Sequence, residues 1–406
     1  MNMILRGGVI FRDGVFEKAD LLVSDGIISR IAPSISAAGV RVFEIEDQYV
    51  FPGFTDVHVH LREPGFSYKE TIFTGTQAAA RGGYTAVCAM PNLAPVPDCA
   101  ENLEKEFEKI RSQARVRVYP FGSITKGEKG AELSDMEVMA ASVAGYSDDG
   151  KGVQFSTIML RAMEKATKLG KIIVAHCEDE SAPEGEREWR EAVRNIELAG
   201  SAGCALHICH VSKKETVEAV RRGKAQGVNV TCETAPHYLL LTNEDVSDDG
   251  KYRMNPPLGA AADQKALLDG LRDGTIDMIA TDHAPHSREE KAGGFRESLS
   301  GIVGLECAFP ALYTGLVEQG RLTLRRLLEL MAIAPVRRFG TGNQNGIEIG
   351  AAADLAIFDL NTEYEIDPER FASMGRSTPF AGWRVKGKCI MTLADGDIIW
   401  EEKDNA

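Results

Sequence analysis

The sequence has no apolar run approaching the length of about 20 residues that a membrane-spanning helix needs, so a helical membrane protein is not expected. Its first residues, MNMILRGGVIFRDG, reach glycine and charge too early for a secretory signal. An excess of positive charge is also missing. Forty-six Lys and Arg stand against 60 Asp and Glu, a net charge of −14, which argues against nucleic acid or an anionic membrane as the main partner. Low-complexity segments and short repeats are absent. The eight cysteines lack paired spacing, and Cys177, Cys204, Cys209 and Cys232 fall inside strand-like runs. Buried reduced thiols and a cytoplasmic location are therefore expected.

What remains is an ordinary globular composition, 44% hydrophobic and 26% charged over 406 residues, enough for one large domain and a smaller one. The first fifty residues read as short strands joined by turns at Arg12-Asp13-Gly14 and Ser24-Asp25-Gly26. The C-terminal segment has the same texture, with ADLAIFDL, GKCIMTL and the turn Ala394-Asp395-Gly396. The simplest architecture joins residues 1–52 and 345–406 into one small β-domain, the alternative being two independent flaps. Between 53 and 344, eight strand-like runs alternate with helical stretches: GFTDVHVHL, YTAVCAMPN, RVRVYPFGSIT, ASVAGYSDD, KIIVAHCED, ALHICHVS, VNVTCETAPHY and DMIATDHAPH. This pattern predicts a (β/α)8 TIM barrel. A doubly wound sheet is the alternative, but it would gather polar residues at one switch point rather than at every strand.

All eight histidines lie within or just after these runs. In a barrel the C-terminal strand ends build the active site. Polar groups buried there need a metal or one another. His58 and His60 are two apart and so share a face of the first strand, as a chelate requires; alone, such a pair is as often structural. His176 ends a strand whose Ile172 and Val174 share its face, and His210 ends another with Leu206 and Ile208. Asp148 and Asp149 close the fourth run, and Asp282 ends the eighth. Four histidines and two carboxylates from five strands form a set suited to one or two zinc ions. Strand parity places His207 and His283 outward, as hydrogen-bonded core residues facing the helices, and leaves His237 either core or behind the ligands.

The set resembles the amidohydrolase superfamily. More closely, DVHVHLREPG (Asp56 to Gly65), MPN (Met90 to Asn92), SDDG, AHCED, CHVS, MNPPL and ATDHAPH are similar, in order through the barrel, to bacterial class I dihydroorotases. The resemblance implies His58, His60 and Asp282 on one zinc, and His176 and His210 on a second. Asp149 would bridge them as the second aspartate of DDG, with Lys151 as the alternative. It further implies substrate contacts from His60, Arg62, Asn92, Asn255 and His286 and from backbone groups at Ser300 and Gly301. Asp282 would be the proton carrier. The implied reaction is the reversible cyclisation of carbamoyl aspartate to dihydroorotate, with a small molecule as the only partner beyond a family-level homodimer. Arg62, whose planar fork suits a carboxylate, and the lack of a lysine in Ala141 to Gly150 argue against allantoinases and dihydropyrimidinases. An intact ligand set argues against a silent homologue supporting another enzyme. The glycine-rich stretch Ala292 to Gly304 is expected to be a lid or a rim. Departures from the family pattern fall in loops: Leu93-Ala94, Gly259 and a short segment between His176 and His210.

Overall fold

The computed structural model describes residues 2–343 and 346–402. Eight parallel strands form the barrel. The first three are Phe54–Val59, Tyr84–Ala89 and Arg117–Pro120, the last continuing as Gly122–Ser123. Then come Tyr146–Ser147, Ile172–Ala175, Ala205–Ile208, Val230–Thr234 and Met278–Ile279. The third strand bends at Pro120, so its first half pairs with the second strand and its end pairs with the fourth. The ring closes through a parallel bridge between Val59 and His283, where His60 N donates to His283 O at 2.8 Å. All eight predicted runs thus supply barrel strands, although the fourth and eighth contribute only two paired residues each.

The first two strands are buried along their whole length, as a parallel sheet covered by helices requires. Val57, Cys88, Phe121, Ile172, Val174, Cys209 and Met278 pack together inside the ring. Phe339, at the end of helix Ala334–Phe339, plugs the lower end against Phe121 and His207, with ring centroids 6.0 and 5.2 Å away. The outer helices are amphipathic. In Ser156–Lys168, Met159, Ala162, Met163 and Ala166 are buried, the three-and-four spacing of one helical face.

The two ends of the chain build one sheet, not two flaps. Its order is Asp397–Glu401, Lys388–Ala394, Leu355–Asp359, Tyr49–Pro52, Met3–Arg12, Val15–Ser24 and Ile27–Ala32, with Arg41–Glu44 also paired to Met3–Arg12. The joint is antiparallel, with Leu355 opposite Pro52 and Phe358 opposite Tyr49. The three Asp-Gly turns read from the sequence are realised: Asp13, Asp25 and Asp395 have φ of 51°, 51° and 49°, each followed by a glycine with positive φ. Two successive positive values match the twist of two-residue hairpins. The division expected between residues 344 and 345 lies outside the described residues. All eight cysteines are free and seven are buried. Among the described residues no helix is long and apolar enough to cross a membrane.

An aromatic cluster docks the sheet on the barrel. Phe358 lies 5.4 Å from both Phe51 and Phe54 and 4.4 Å from Phe309. Because Phe358 is fully buried, Phe358→Ala should reduce the free energy of unfolding by about 3–5 kcal/mol. A urea titration giving a loss under about 1 kcal/mol would show that this cluster does not hold the two parts together.

Candidate metal centre and active site

Strand ends deliver the site. His58 and His60 come from the first strand, Asp149 follows the fourth, His176 the fifth, His210 the sixth and Asp282 the eighth. The Asp149 carboxylate lies 3.4 Å from His58 Nε2, 3.5 Å from His60 Nε2, 3.6 Å from His176 Nδ1 and 3.7 Å from His210 Nε2. Asp282 Oδ1 is 3.2 Å from His60 Nε2 and 3.5 Å from His58 Nε2. Among the described residues, two candidate ligand groups share Asp149, His58–His60–Asp149 and Asp149–His176–His210, and a third, His58–Cys209–Glu233, lies on the other side of His58. All six side chains are buried.

The far nitrogens of three imidazoles are engaged, which fixes what the near nitrogens present. His58 Nδ1 donates to Glu233 Oε1 at 2.7 Å, His60 Nδ1 to Asn92 Oδ1 at 2.9 Å, and His176 Nε2 to Glu178 Oε2 at 3.1 Å. With those protons placed, each ring turns a lone pair toward the carboxylates. Lone pairs facing carboxylates repel unless a proton or a cation lies between them. His58 Nε2 and Asp149 Oδ1 are buried with no hydrogen-bond partner among the described residues, and His176 Nδ1 faces His210 Nε2 at 2.8 Å. The donor set therefore fits divalent cations with nitrogen and oxygen ligands. The electrostatics agree. Burial opposes charge on His58, yet Asp149, Glu233 and Asp282 push its pKa well above the ordinary value. Burial likewise opposes ionisation of Asp149, yet His58, His176 and His210 hold its carboxyl well below the usual range.

Asp148 does a different job. Its carboxylate accepts from Ile124 N at 2.7 Å, from Thr125 N at 3.0 Å and from the Thr125 hydroxyl. It thus ties the third strand's end to the fourth and turns away from the imidazoles. Lys151, the alternative bridge, is exposed.

Eleven of the twelve expected site residues line one cleft of about 200 Å³; His58 lies directly behind it, fully buried. Arg62 enters from the rim beyond His60, anchored by Nε donating to Pro285 O at 3.1 Å, with Nη2 3.5 Å from His286 Nε2. His286 Nε2 donates to Ser300 O at 2.8 Å while Lys69 Nζ donates to His286 Nδ1 at 3.2 Å. Burial, with Arg62 and Lys69 beside it, lowers the His286 pKa to about 4, so the ring is neutral at physiological pH. Asn255 Nδ2 donates to Glu178 Oε2 at 3.0 Å. Ser300 and Gly301 form the cleft's edge. Gly301 has φ of 138°, and a Cβ there would stand 2.6 Å from Ala284 O, so only glycine fits.

Two expectations need correcting. His207 does not face the helices; it lies inside the barrel, donating from Nε2 to Glu233 Oε2 at 2.8 Å, with Thr231 Oγ1 2.9 Å from Nδ1. Nor does His210 share a face with Leu206 and Ile208, which pack in the outer core. Strand alternation ends at Ile208, and His210 has φ of 34°, which turns its ring inward. His283 is a buried core residue as expected, its Nδ1 accepting from Gly304 N at 3.2 Å. His237 is buried beside Tyr238, and burial pushes its pKa down to about 4.

Sequence reasoning missed Glu178 and Glu233. Glu233 is fully buried between His58 and His207. Burial opposes its charge, but the two imidazoles hold its carboxyl below the ordinary range. The signal was available, since a glutamate between Cys232 and Thr234 in an apolar strand must be paired. Glu178, held at about 2 by His176 against burial and further by Asn255, sits two residues past His176 in a polar stretch and carried no such mark.

A family model described as Dihydro-orotase-like matches residues 47–199. The dihydroorotase of Bacillus cytotoxicus is 44% identical over 427 aligned positions covering 99% of each chain. That of Bacillus cereus is 44% identical over 425 positions, again covering 99% of each. Among solved structures, the L-hydantoinase (dihydropyrimidinase) of Arthrobacter aurescens has a TM-score of 0.90 at 25% identity, covering 98% of this chain and 96% of its own. The dihydropyrimidinase of Brevibacillus agri gives 0.89 at 22% identity over 99% and 95%, a likeness of fold alone.

The site makes a metal-binding prediction. Asp149→Ala should abolish tight divalent-metal binding, whereas Asp148→Ala should retain it. Glu233→Gln, which weakens the grip on His58, should lower affinity by about 10–100-fold. Chelator competition with metal analysis reads all three, and equal metal loss in the Asp148 and Asp149 variants would contradict a shared Asp149 ligand.

Proposed function

The chain belongs to the dihydroorotase family, a cyclic-amide hydrolase, and we propose that it interconverts N-carbamoyl-L-aspartate and dihydroorotate in pyrimidine biosynthesis. The observation that carries this reading is the cleft itself, where the Arg62 guanidinium and the Asp149-centred imidazoles line one small space. The substrate has a reacting end and a carboxylate that survives the reaction, and the cleft offers a separate place for each.

His58, His60 and Asp282 would hold one zinc ion and His176 and His210 a second, with Asp149 shared between them. Such ions supply Lewis acidity at the carboxyl or amide carbon and lower the pKa of water. The chain's own groups do the rest. Arg62, with Asn92, Asn255 and the neutral His286, binds and orients the surviving carboxylate and the ureido group, and the Ser300–Gly301 edge closes over them. Asp282 is held ionised, since His58 and His60 outweigh the effect of its burial. Its carboxylate takes the ureido proton as the ring closes and returns it to the ring nitrogen as the ring opens. Closure consumes one carboxylate charge and one proton and releases water, so synthesis gains on hydrolysis as pH falls. A cytoplasmic homodimer is the proposed setting, supported by the free buried cysteines and the family likeness respectively.

The structural likeness to a hydantoinase favours a second reading, an enzyme for uncharged cyclic amides. Against it stand Arg62 in the cleft and an aspartate where the fourth strand could have carried a lysine.

Two variants test the assignment. Asp282→Asn in metal-replete protein should lower turnover by roughly 10²–10⁴-fold, and near-normal turnover would remove Asp282 from proton transfer. Arg62→Met should reduce kcat/KM for dihydroorotate roughly 10–150-fold, the loss of about 1.5–3 kcal/mol that a hydrogen bond to a charged group is worth. Wild-type protein that hydrolyses dihydrouracil faster than dihydroorotate would instead establish the second reading.

A further inference from the structure

The segment after the eighth strand does not stand free as a lid. Helix Arg288–Lys291 is capped by Ser287, whose side chain accepts from Glu290 N. Phe295 N donates to Asp248 Oδ1 at 2.9 Å, and Leu299 N donates to Glu290 O at 3.1 Å. At its centre is Lys291, whose Nζ donates to Arg253 O at 3.1 Å, Leu299 O at 2.7 Å and Gly301 O at 2.8 Å. An ammonium has three N–H donors and all three are used, on carbonyls alone. No carboxylate lies within ion-pair distance of it among the described residues.

Those carbonyls are not arbitrary. Leu299 and Gly301 flank Ser300, and Arg253 stands two residues before Asn255; Ser300, Gly301 and Asn255 all line the cleft. Arg253 O also accepts from Gly301 N at 3.0 Å. We propose that Lys291 is a positioning residue, its ammonium clasping the Ser300–Gly301 edge to the Arg253–Asn255 segment and so setting the width of the substrate cleft. This rests on the dihydroorotase reading for its substrate, though not for its geometry.

Lys291 lies outside the metal centre. The charged groups facing it are Arg253, which disfavours its charge, and Asp249, which favours it. Glu290 is turned to Lys69 and Tyr68, with Nζ and OH at 3.0 and 3.1 Å. Burial, followed by Arg253, brings the Lys291 pKa down to about 8. Below about pH 8 the clasp is charged and its donors are strong, and above it the amine is neutral and the clasp slackens.

The experiment compares metal-replete wild type with Lys291→Met and Lys291→Arg, using dihydroorotate as substrate. In Lys291→Met, KM should rise about tenfold while kcat and bound metal stay within about twofold, the pattern of lost uniform binding. Lys291→Arg, which keeps charge and donors, should recover most of the loss. Wild-type KM should climb as pH passes about 8, and that climb should vanish in Lys291→Met. Amide exchange at Leu299 and Gly301 should speed up in the Met variant. A Met variant with wild-type KM, or one that loses kcat and metal at unchanged KM, overturns the proposal. Should wild type not turn over dihydroorotate, the proposed reaction fails instead. The exchange comparison then decides the clasp, and unchanged protection at Gly301 overturns it.

Discussion

One carboxylate facing four imidazoles is the constraint around which the molecule is organised. Asp149, at the end of the fourth strand, reaches four histidines from three other strands at 3.4–3.7 Å, a convergence that a closed ring of strand ends supplies. Burying that charge without compensation costs several kcal/mol, so each neighbour must be aimed and held. The second layer does this. Glu233 ties His58 to His207 across the barrel interior. Glu178 ties His176 to Asn255, joining an imidazole beside Asp149 to a cleft-lining amide through one carboxylate.

The backbone carries part of the burden. Among the described residues, eight non-glycine residues have positive φ, and three of them, Arg62, His210 and Asp282, are in the site. Most of the others are aspartates in turns, where that conformation is common. An arginine and a histidine there are less comfortable, at about 1–3 kcal/mol each. Each lies just past the end of a barrel strand that fixes the chain on one side, before the loop leading to the next helix. The strain aims side chains where regular strand geometry would have sent them outward.

This also explains which parts were legible in the sequence. Alternating strands and helices announced the barrel, and Asp-Gly pairs announced the hairpins, because both follow from local periodicity and turn chemistry. The residues of the cleft could be read because histidines cluster at strand ends, and Asp149 could be chosen over Asp148 only by family likeness. What parity misjudged was His207 and His210, since alternation says nothing once a strand ends and φ changes sign. Glu178 and Lys291 were invisible because their roles come from partners in distant parts of the chain. The edges that bring those partners close are set by tertiary packing.

The sheet formed by both ends of the chain has a consequence for how the protein is made. Tyr49–Pro52 pairs on one side with Met3–Arg12, a nearby neighbour in sequence, and on the other with Leu355–Asp359, about 300 residues later. At about 5–20 residues per second, a ribosome needs roughly 15–60 s to deliver that second partner. Throughout that interval the nascent N-terminal hairpins present an open apolar edge, Val50 and Phe51 included, of the kind that invites wrong pairing. The barrel must therefore fold while half a sheet waits for completion, and the last strands to emerge seal the first ones made.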